Sequence, residues 1–166
     1  MPVSVEELFR EYHGSLVRML YRRTGDRDRA EDLAQEVFAR AVATPPDNPR
    51  PWLFAVALNL VRDDGRRAVR QGRRLMLLKG ETASTAPPPD DEFDRQEKTR
   101  AVRAALEQLR DIDREVLVLK AEGFDYDEIA AATGLAKSAI GTTLSRARRR
   151  LVEAYREQEK NRHVAS

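Results

Sequence analysis

Apolar residues recur along this chain at intervals of three and four and never alternate for long, so the pattern predicts an all-α protein. Ser4 and Glu7 stand as a capping box requires, ahead of Leu8, Phe9, Tyr12, Leu16, Val17, Leu20 and Tyr21 at helical intervals. Gly25 stops that first helix. Asp28 with Glu31 opens a second, with Ala30, Leu33, Ala34, Val37, Phe38 and Ala41 on one face. Thr44–Pro51 is interrupted by prolines and reads as a loop. A third helix turns Trp52, Leu53, Val56, Ala57, Leu60 and Val61 inward and carries Arg62, Arg66, Arg67 and Arg70 beyond them. These helices make one N-terminal lobe, residues 1–79.

The pattern then lapses. Ala83–Glu92 has few apolar groups and a run of acids, so 80–94 reads as a flexible linker. The apolar Leu75–Leu78 just before it either extends the third helix or forms a patch awaiting a partner. Periodicity resumes with Val102, Ala105, Leu106 and Leu109, and again with Ile112, Val116, Leu117 and Leu119. Asp125 and Glu128 form another capping box, and Ile129 and Ala130 face inward one turn later. Gly134 supplies a left-handed stop, and a long helix from Lys137 carries Arg146, Arg148, Arg149 and Arg150. A short helix, a tight turn and a basic second helix follow the helix-turn-helix plan, in which the second helix enters the DNA major groove. The spacing alone also leaves open a helical hairpin with a solvated arginine face, since cations suit helix C-termini. The C-terminal lobe spans 95–160, with a tail at 161–166.

Charge sharpens this picture. The formal net charge is only +2, but Gly134–Ser166 holds eight Lys/Arg against three Asp/Glu, and Glu81–Thr99 holds two against six. Local basicity of that kind is the footprint of a polyanion-binding surface. With no cysteine, disulfides and Cys-based zinc sites are excluded. The N-terminus lacks a signal peptide's basic start and apolar core, and no apolar run approaches the ~20 residues that span a bilayer. A soluble cytoplasmic protein is expected, without membrane insertion, metal or cofactor. Histidine occurs only at His13 and His163, and no glycine-rich phosphate loop is present, so an enzyme is the poorest reading.

Two ordered blocks resemble the bacterial sigma factors of the extracytoplasmic-function type, in the sigma-70 family. The first is Ala30–Phe38 (AEDLAQEVF) followed, past the proline-broken loop, by Trp52–Leu60 (WLFAVALNL). The second is Leu109 with Glu115–Leu119, Tyr126–Ala130 (YDEIA) and Ser145–Leu151 (SRARRRL). The resemblance implies two small helical domains, a region 2 bundle and a region 4 helix-turn-helix, joined by the linker. It implies a transcription initiation factor that binds core RNA polymerase through the beta-prime coiled coil and the beta flap. The first domain would read the minus-10 promoter element and assist melting, and the second would read the minus-35 element. An anti-sigma factor that wedges between the lobes is a further implied partner. A helix-turn-helix regulator acting without core polymerase is the alternative. It accounts for the C-terminal lobe and leaves the N-terminal block unexplained.

Candidate site residues follow from the same match. Asp32, Gln35 and Glu36 form an exposed polar ridge that looks by spacing like a solvated face. Their match to the family's polymerase-binding positions makes them candidates for the core contact. Asn48 and Arg50 in the loop, then Asn59, Arg62, Arg66 and Arg67, are the minus-10 candidates, with Asn48 as base reader and the arginines on phosphates. Asp47 is a further polar group of that loop, and Trp52 is expected to be structural. Lys137, Ser138, Thr142 and Thr143 are the possible minus-35 base readers, while Ser145, Arg146, Arg148 and Arg149 suit phosphates. Four positions depart from the family pattern. Ala55 and Leu58 stand where basic residues are common, and Gly141 occupies the middle of the recognition helix, at a cost of roughly 1 kcal/mol relative to alanine. A close backbone approach to DNA is the expected compensation at Gly141. Ala136 stands where the family commonly has a Ser or Thr cap, and a weakly specific minus-35 contact is expected.

Overall fold

The computed structural model describes residues 3–76 and 90–164, with side chains at 3–66 and 91–164. Seven helices make up the described residues: α1 Val5–Thr24, α2 Arg27–Ala43, α3 Pro49–Met76, α4 Asp90–Glu107, α5 Asp111–Ala121, α6 Tyr126–Thr133 and α7 Lys137–Val164.

Helix α1 is capped as its sequence demands. The Glu7 N–H donates to Ser4 Oγ at 3.2 Å, the Ser4 N–H donates to Glu7 at 3.3 Å, and Gly25 at φ 71° closes the far end. The start of α2 differs from expectation. Asp26, not Asp28, is the cap, and its carboxylate accepts the Arg29 N–H at 3.1 Å. The Gly25 turn ends one residue earlier, so the chain re-enters helix sooner than the Asp28/Glu31 spacing suggested. Helix α3 likewise begins inside the supposed loop, at Pro49. Proline is at home in a first turn, where its missing N–H would have no helical partner. Arg50 therefore stands on a helix.

Helices α1 and α2 pair, and α3 crosses both. The core of this lobe is built from Leu8, Leu16, Leu20, Ala34, Val37, Leu53 and Ala57, all 3% exposed or less. Arg29 is ion-paired with Asp64 and ties α2 to α3. Trp52, Val56 and Leu60 are only half-buried, whereas Phe54 and Leu58 are buried, so α3 is covered on a second face that the helical pattern alone had not marked.

In the C-terminal lobe α4 lies along α7, and α5 and α6 pack against α7. Residues Asp90–Asp94, placed in the linker by composition, are helical. Acids in a first turn are favoured by the helix dipole. Residues 161–164 continue α7, where Arg162 meets Glu97 of α4 at 3.5 Å. Leu75 and Met76 extend α3 in backbone, while Leu77, Leu78 and the remainder to residue 89 lie outside the described residues. Asp113 is fully buried and held by Arg150 at 2.6 Å and Arg110 at 3.1 Å. Burial opposes its ionisation, but those two guanidinium hydrogen bonds and charges outweigh it and hold the carboxyl below its ordinary value.

The lobes pack on each other. One apolar cluster runs from Leu8 through Val61 into Val116, Phe124, Ile129 and Ala147, and the rings of Phe54 and Phe124 meet edge-on at 5.0 Å. Two tethered lobes were the expectation from composition. Burying Phe54 and Phe124 to 1% exposure each is what joins them.

Candidate nucleic-acid interface

The candidate residues fall on three surfaces. On α2 the spacing of three and four holds: Asp32, Gln35 and Glu36 are exposed, with Leu33, Ala34, Val37 and Phe38 buried between them. Glu36 pairs with Arg40 one turn on at 3.2 Å, a solvated pairing that leaves the ridge accessible. No group from α4–α7 has a hydrogen bond or ion pair to these three residues among the described contacts.

The second surface is the start and middle of α3. Asn48 and Asn59 are exposed, and the Asn48 carbonyl accepts the Trp52 N–H at 3.3 Å. The arginines are engaged. Arg50 meets Glu128 at 2.5 Å, donates to the Glu122 carbonyl at 3.1 Å, and lies over the Phe124 ring at 4.2 Å. Arg62 pairs with Glu115 and lies 3.3 Å from Asp111, and Arg66 reaches Asp111 at 3.5 Å. Burial alone would lower the pKa of Arg62, but the hydrogen bond and charge of Glu115, with Asp111, raise it instead. The side chain of Arg67 lies outside the described residues. Leu58 is 4% exposed, so a cation there would be buried, which accounts physically for one of the two missing basic residues. Ala55, by contrast, is only half-buried.

The third surface is α6 with α7. Asp125 and Glu128 form a complete capping box, and Gly134 at φ 80° makes the turn. Helix α7 starts at Lys137, directly after Ala136, whose carbonyl accepts the Ala139 N–H at 2.9 Å. Ile140, Leu144 and Ala147 are fully buried, which leaves Lys137, Ser138, Thr142, Ser145, Arg148 and Arg149 exposed. Lys137 is bridged to Asp127 at 3.0 Å, and both are well exposed. Arg146 is half-buried, with an Nε that meets no hydrogen-bond partner among the described residues.

Thr143 is buried, unlike the other candidate base readers. It is 4% exposed, and its hydroxyl donates to the Ala139 carbonyl at 2.7 Å, because position 143 falls on the Ile140/Leu144/Ala147 side of the helix. Tyr126, noted in the sequence only as the start of the YDEIA block and not as a site residue, stands exposed beside this surface and lines a shallow depression with Ser138, Gly141 and Thr142. A β-carbon built on Gly141 would meet the Tyr126 hydroxyl at 3.5 Å, an ordinary contact. Glycine is therefore not demanded by its protein neighbours. It leaves the depression open.

Comparison with known proteins identifies relatives over both lobes. Residues 8–71 match the model of Sigma-70 region 2, and residues 99–151 match that of Sigma-70 region 4. The chain is 32% identical to the RNA polymerase sigma factor YlaC of Bacillus subtilis over 87% of its own length and 88% of that protein's. It is 37% identical to the ECF RNA polymerase sigma factor EcfG of Rhodopseudomonas palustris, over 77% and 72% of the two chains. Among solved structures, the sigma factor RpoE of Bartonella quintana, determined with the anti-sigma factor NepR, superposes with a TM-score of 0.61 at 27% identity, covering 91% of this chain and 96% of that one. CnrH, determined with the cytosolic domain of CnrY, gives the same score and identity over 90% and 85%.

Proposed function

The chain belongs to the sigma-70 family as a factor of the extracytoplasmic-function type that directs core RNA polymerase to promoters, and on that premise we propose how its surfaces divide the work. The α2 ridge of Asp32, Gln35 and Glu36 docks on the beta-prime coiled coil, where carboxylates facing arginines set orientation and on-rate. Asn48 and Asn59, with Arg50, Arg62, Arg66 and Arg67, hold the minus-10 element. The exposed face of α7, Lys137, Ser138, Thr142 and Ser145 with Arg146, Arg148 and Arg149, takes the minus-35 element, and the C-terminal lobe meets the beta flap. Arginines late in α7 suit phosphates, which position the helix without specifying sequence.

The observation that carries this division is the pairing of an exposed acidic ridge on one lobe with a helix-turn-helix on the other. A regulator that ignores polymerase has no use for the first. An inhibitor of the anti-sigma class is proposed as a partner by analogy with RpoE, whose structure was determined with the anti-sigma factor NepR, and action in the cytoplasm follows from the same role. No helix among the described residues is long and apolar enough to cross a membrane. The test is reconstituted transcription with core polymerase on a fragmented genomic library. Promoter-dependent initiation is expected from the wild-type chain and loss of it from Asp32→Arg; equal initiation by both would remove the ridge from the core contact.

A further inference from the structure

The middle of α7 is open where a side chain would ordinarily stand. A β-carbon built on Gly141 lies 3.5 Å from the Tyr126 hydroxyl and 3.6 Å from its Cε2, so the ring edge from α6 borders the bare backbone of α7. The capping box of Asp125 and Glu128 starts α6 at Tyr126 and thereby fixes where that ring emerges. Tyr126 is 41% exposed, and Lys120 Nζ lies 5.8 Å from its ring centroid. Around the depression the hydroxyls of Tyr126, Ser138, Thr142 and Ser145 make no hydrogen bond among the described residues, unlike that of Thr143, which donates to the Ala139 carbonyl. The cation of its lining, Lys137, is already bridged to Asp127 at 3.0 Å. A floor of backbone, a wall of aromatic edge and a rim of hydroxyls suit a base edge better than a phosphate, whose seats gather unpaired cations and N–H donors.

We propose that Tyr126, a residue of α6, is a base reader of the minus-35 element: its ring edge and the Gly141 backbone together seat the C5-methyl group of a thymine, and the surrounding hydroxyls face the edge of that base pair. This rests on the assignment of the exposed α7 face to the minus-35 element. Thymine is the base that the chemistry of the recess selects. Its methyl is the apolar projection of the major groove, and a recess without a side chain lets a helix backbone come close enough to enclose it. Gly141 supplies that recess, at the helix-propensity cost of glycine. A hydroxyl both donates and accepts, so the rim tolerates several neighbouring bases and the methyl contact carries the discrimination. Reading at this position is thus divided between both helices of the helix-turn-helix.

The test uses holoenzyme assembled from core polymerase and the full chain. Duplexes randomised across the minus-35 element are selected for binding, and the best-bound duplex is resynthesised with each thymine replaced in turn by deoxyuridine, which lacks only the methyl. Competition binding is expected to find a thymine whose replacement weakens binding about fourfold, the worth of one buried methyl-sized group. Tyr126→Ala is expected to weaken binding of the thymine duplex and to abolish the thymine-to-uracil difference at that position. Gly141→Ala, which fills the recess from the other side, is expected to reduce the same difference. A tyrosine that merely supports α6 would weaken both duplexes alike and leave their ratio unchanged, and that result overturns the proposal. So does a selected element in which no thymine is sensitive. A sensitivity lost in Thr142→Ser but kept in Tyr126→Ala overturns it too, by giving the methyl contact to Thr142. Failure to enrich any minus-35 sequence removes the whole α7 face from promoter reading and the proposal with it, a result distinct from loss of the Tyr126 contact alone.

Discussion

Glu128 serves two helices with one carboxylate. One oxygen accepts the Asp125 N–H at 3.1 Å and completes the cap of α6, while the other holds Arg50 of α3 at 2.5 Å. The start of the helix-turn-helix and the start of α3 are thereby fastened through a single side chain.

Truncation and neutralisation of Glu128 should therefore differ. Glu128→Ala loses cap and ion pair together and should lower stability by about 1 kcal/mol more than Glu128→Gln, which retains the cap. Thermal or urea denaturation of the two variants reads the difference, and equal losses would show that the cap contributes nothing.

Asp32 is exposed on α2, on a surface that no other element among the described residues covers. Asp32→Arg should weaken the affinity for core polymerase roughly tenfold or more by placing a cation where the partner is basic. Its melting temperature should match wild type, because an exposed helix-surface residue seldom moves stability by more than ~0.5 kcal/mol. Fluorescence titration of labelled factor against core enzyme checks the first, and calorimetry the second.

Asp113 makes stability depend on acid. Its carboxyl is held below its ordinary value by Arg110 and Arg150, so the stabilisation is complete above the unfolded pKa of 3.8 and is lost as pH falls through the lower folded value. Asp113→Asn should cost on the order of 2 kcal/mol at neutral pH, leaving Arg150 without its buried partner, and should flatten the stability profile below pH 3.8. Urea unfolding across that range is the measurement. A variant with an undiminished acid slope would assign that slope to other carboxylates.

Thr142 and Thr143 are neighbours with opposite surroundings. Thr142→Val should alter the ranking of minus-35 sequences, whereas Thr143→Val should leave it unchanged and cost about 1 kcal/mol for the lost bond to the Ala139 carbonyl. Transcription from a randomised minus-35 library decides between them.

Gly141→Ala should raise stability by up to ~1 kcal/mol, since the added methyl meets Tyr126 only at ordinary contact distance and alanine is the better helix former. A gain in melting temperature with weakened minus-35 binding would show that the open depression beside Tyr126 is used by DNA.

Much of this molecule was legible in residue spacing. The caps at Ser4/Glu7, Asp125/Glu128 and the stops at Gly25 and Gly134 are local chemistry, written within a few residues, and so is the alternation of exposed and buried positions along α2. Thr143 was misread because an exposed and a buried threonine have the same formula; only the phase of Ile140, Leu144 and Ala147 separates them. The partners of Arg50, Arg62 and Arg66 were illegible for a different reason. Their acids lie 78, 53 and 45 residues away, in contacts made by the packing of one lobe on another, and no helical period encodes such a pairing. The burial of Phe54 had the same origin: it faces away from its own lobe's stripe and waits for Phe124.

That aromatic contact also governs how the protein behaves in company. Parting the lobes bares two rings that are each 1% exposed when closed, together a few hundred Å² of apolar surface. An open chain with nothing to cover them is an adhesive one, prone to join a second open chain. Conditions that open the chain in the absence of polymerase should be the ones in which it self-associates.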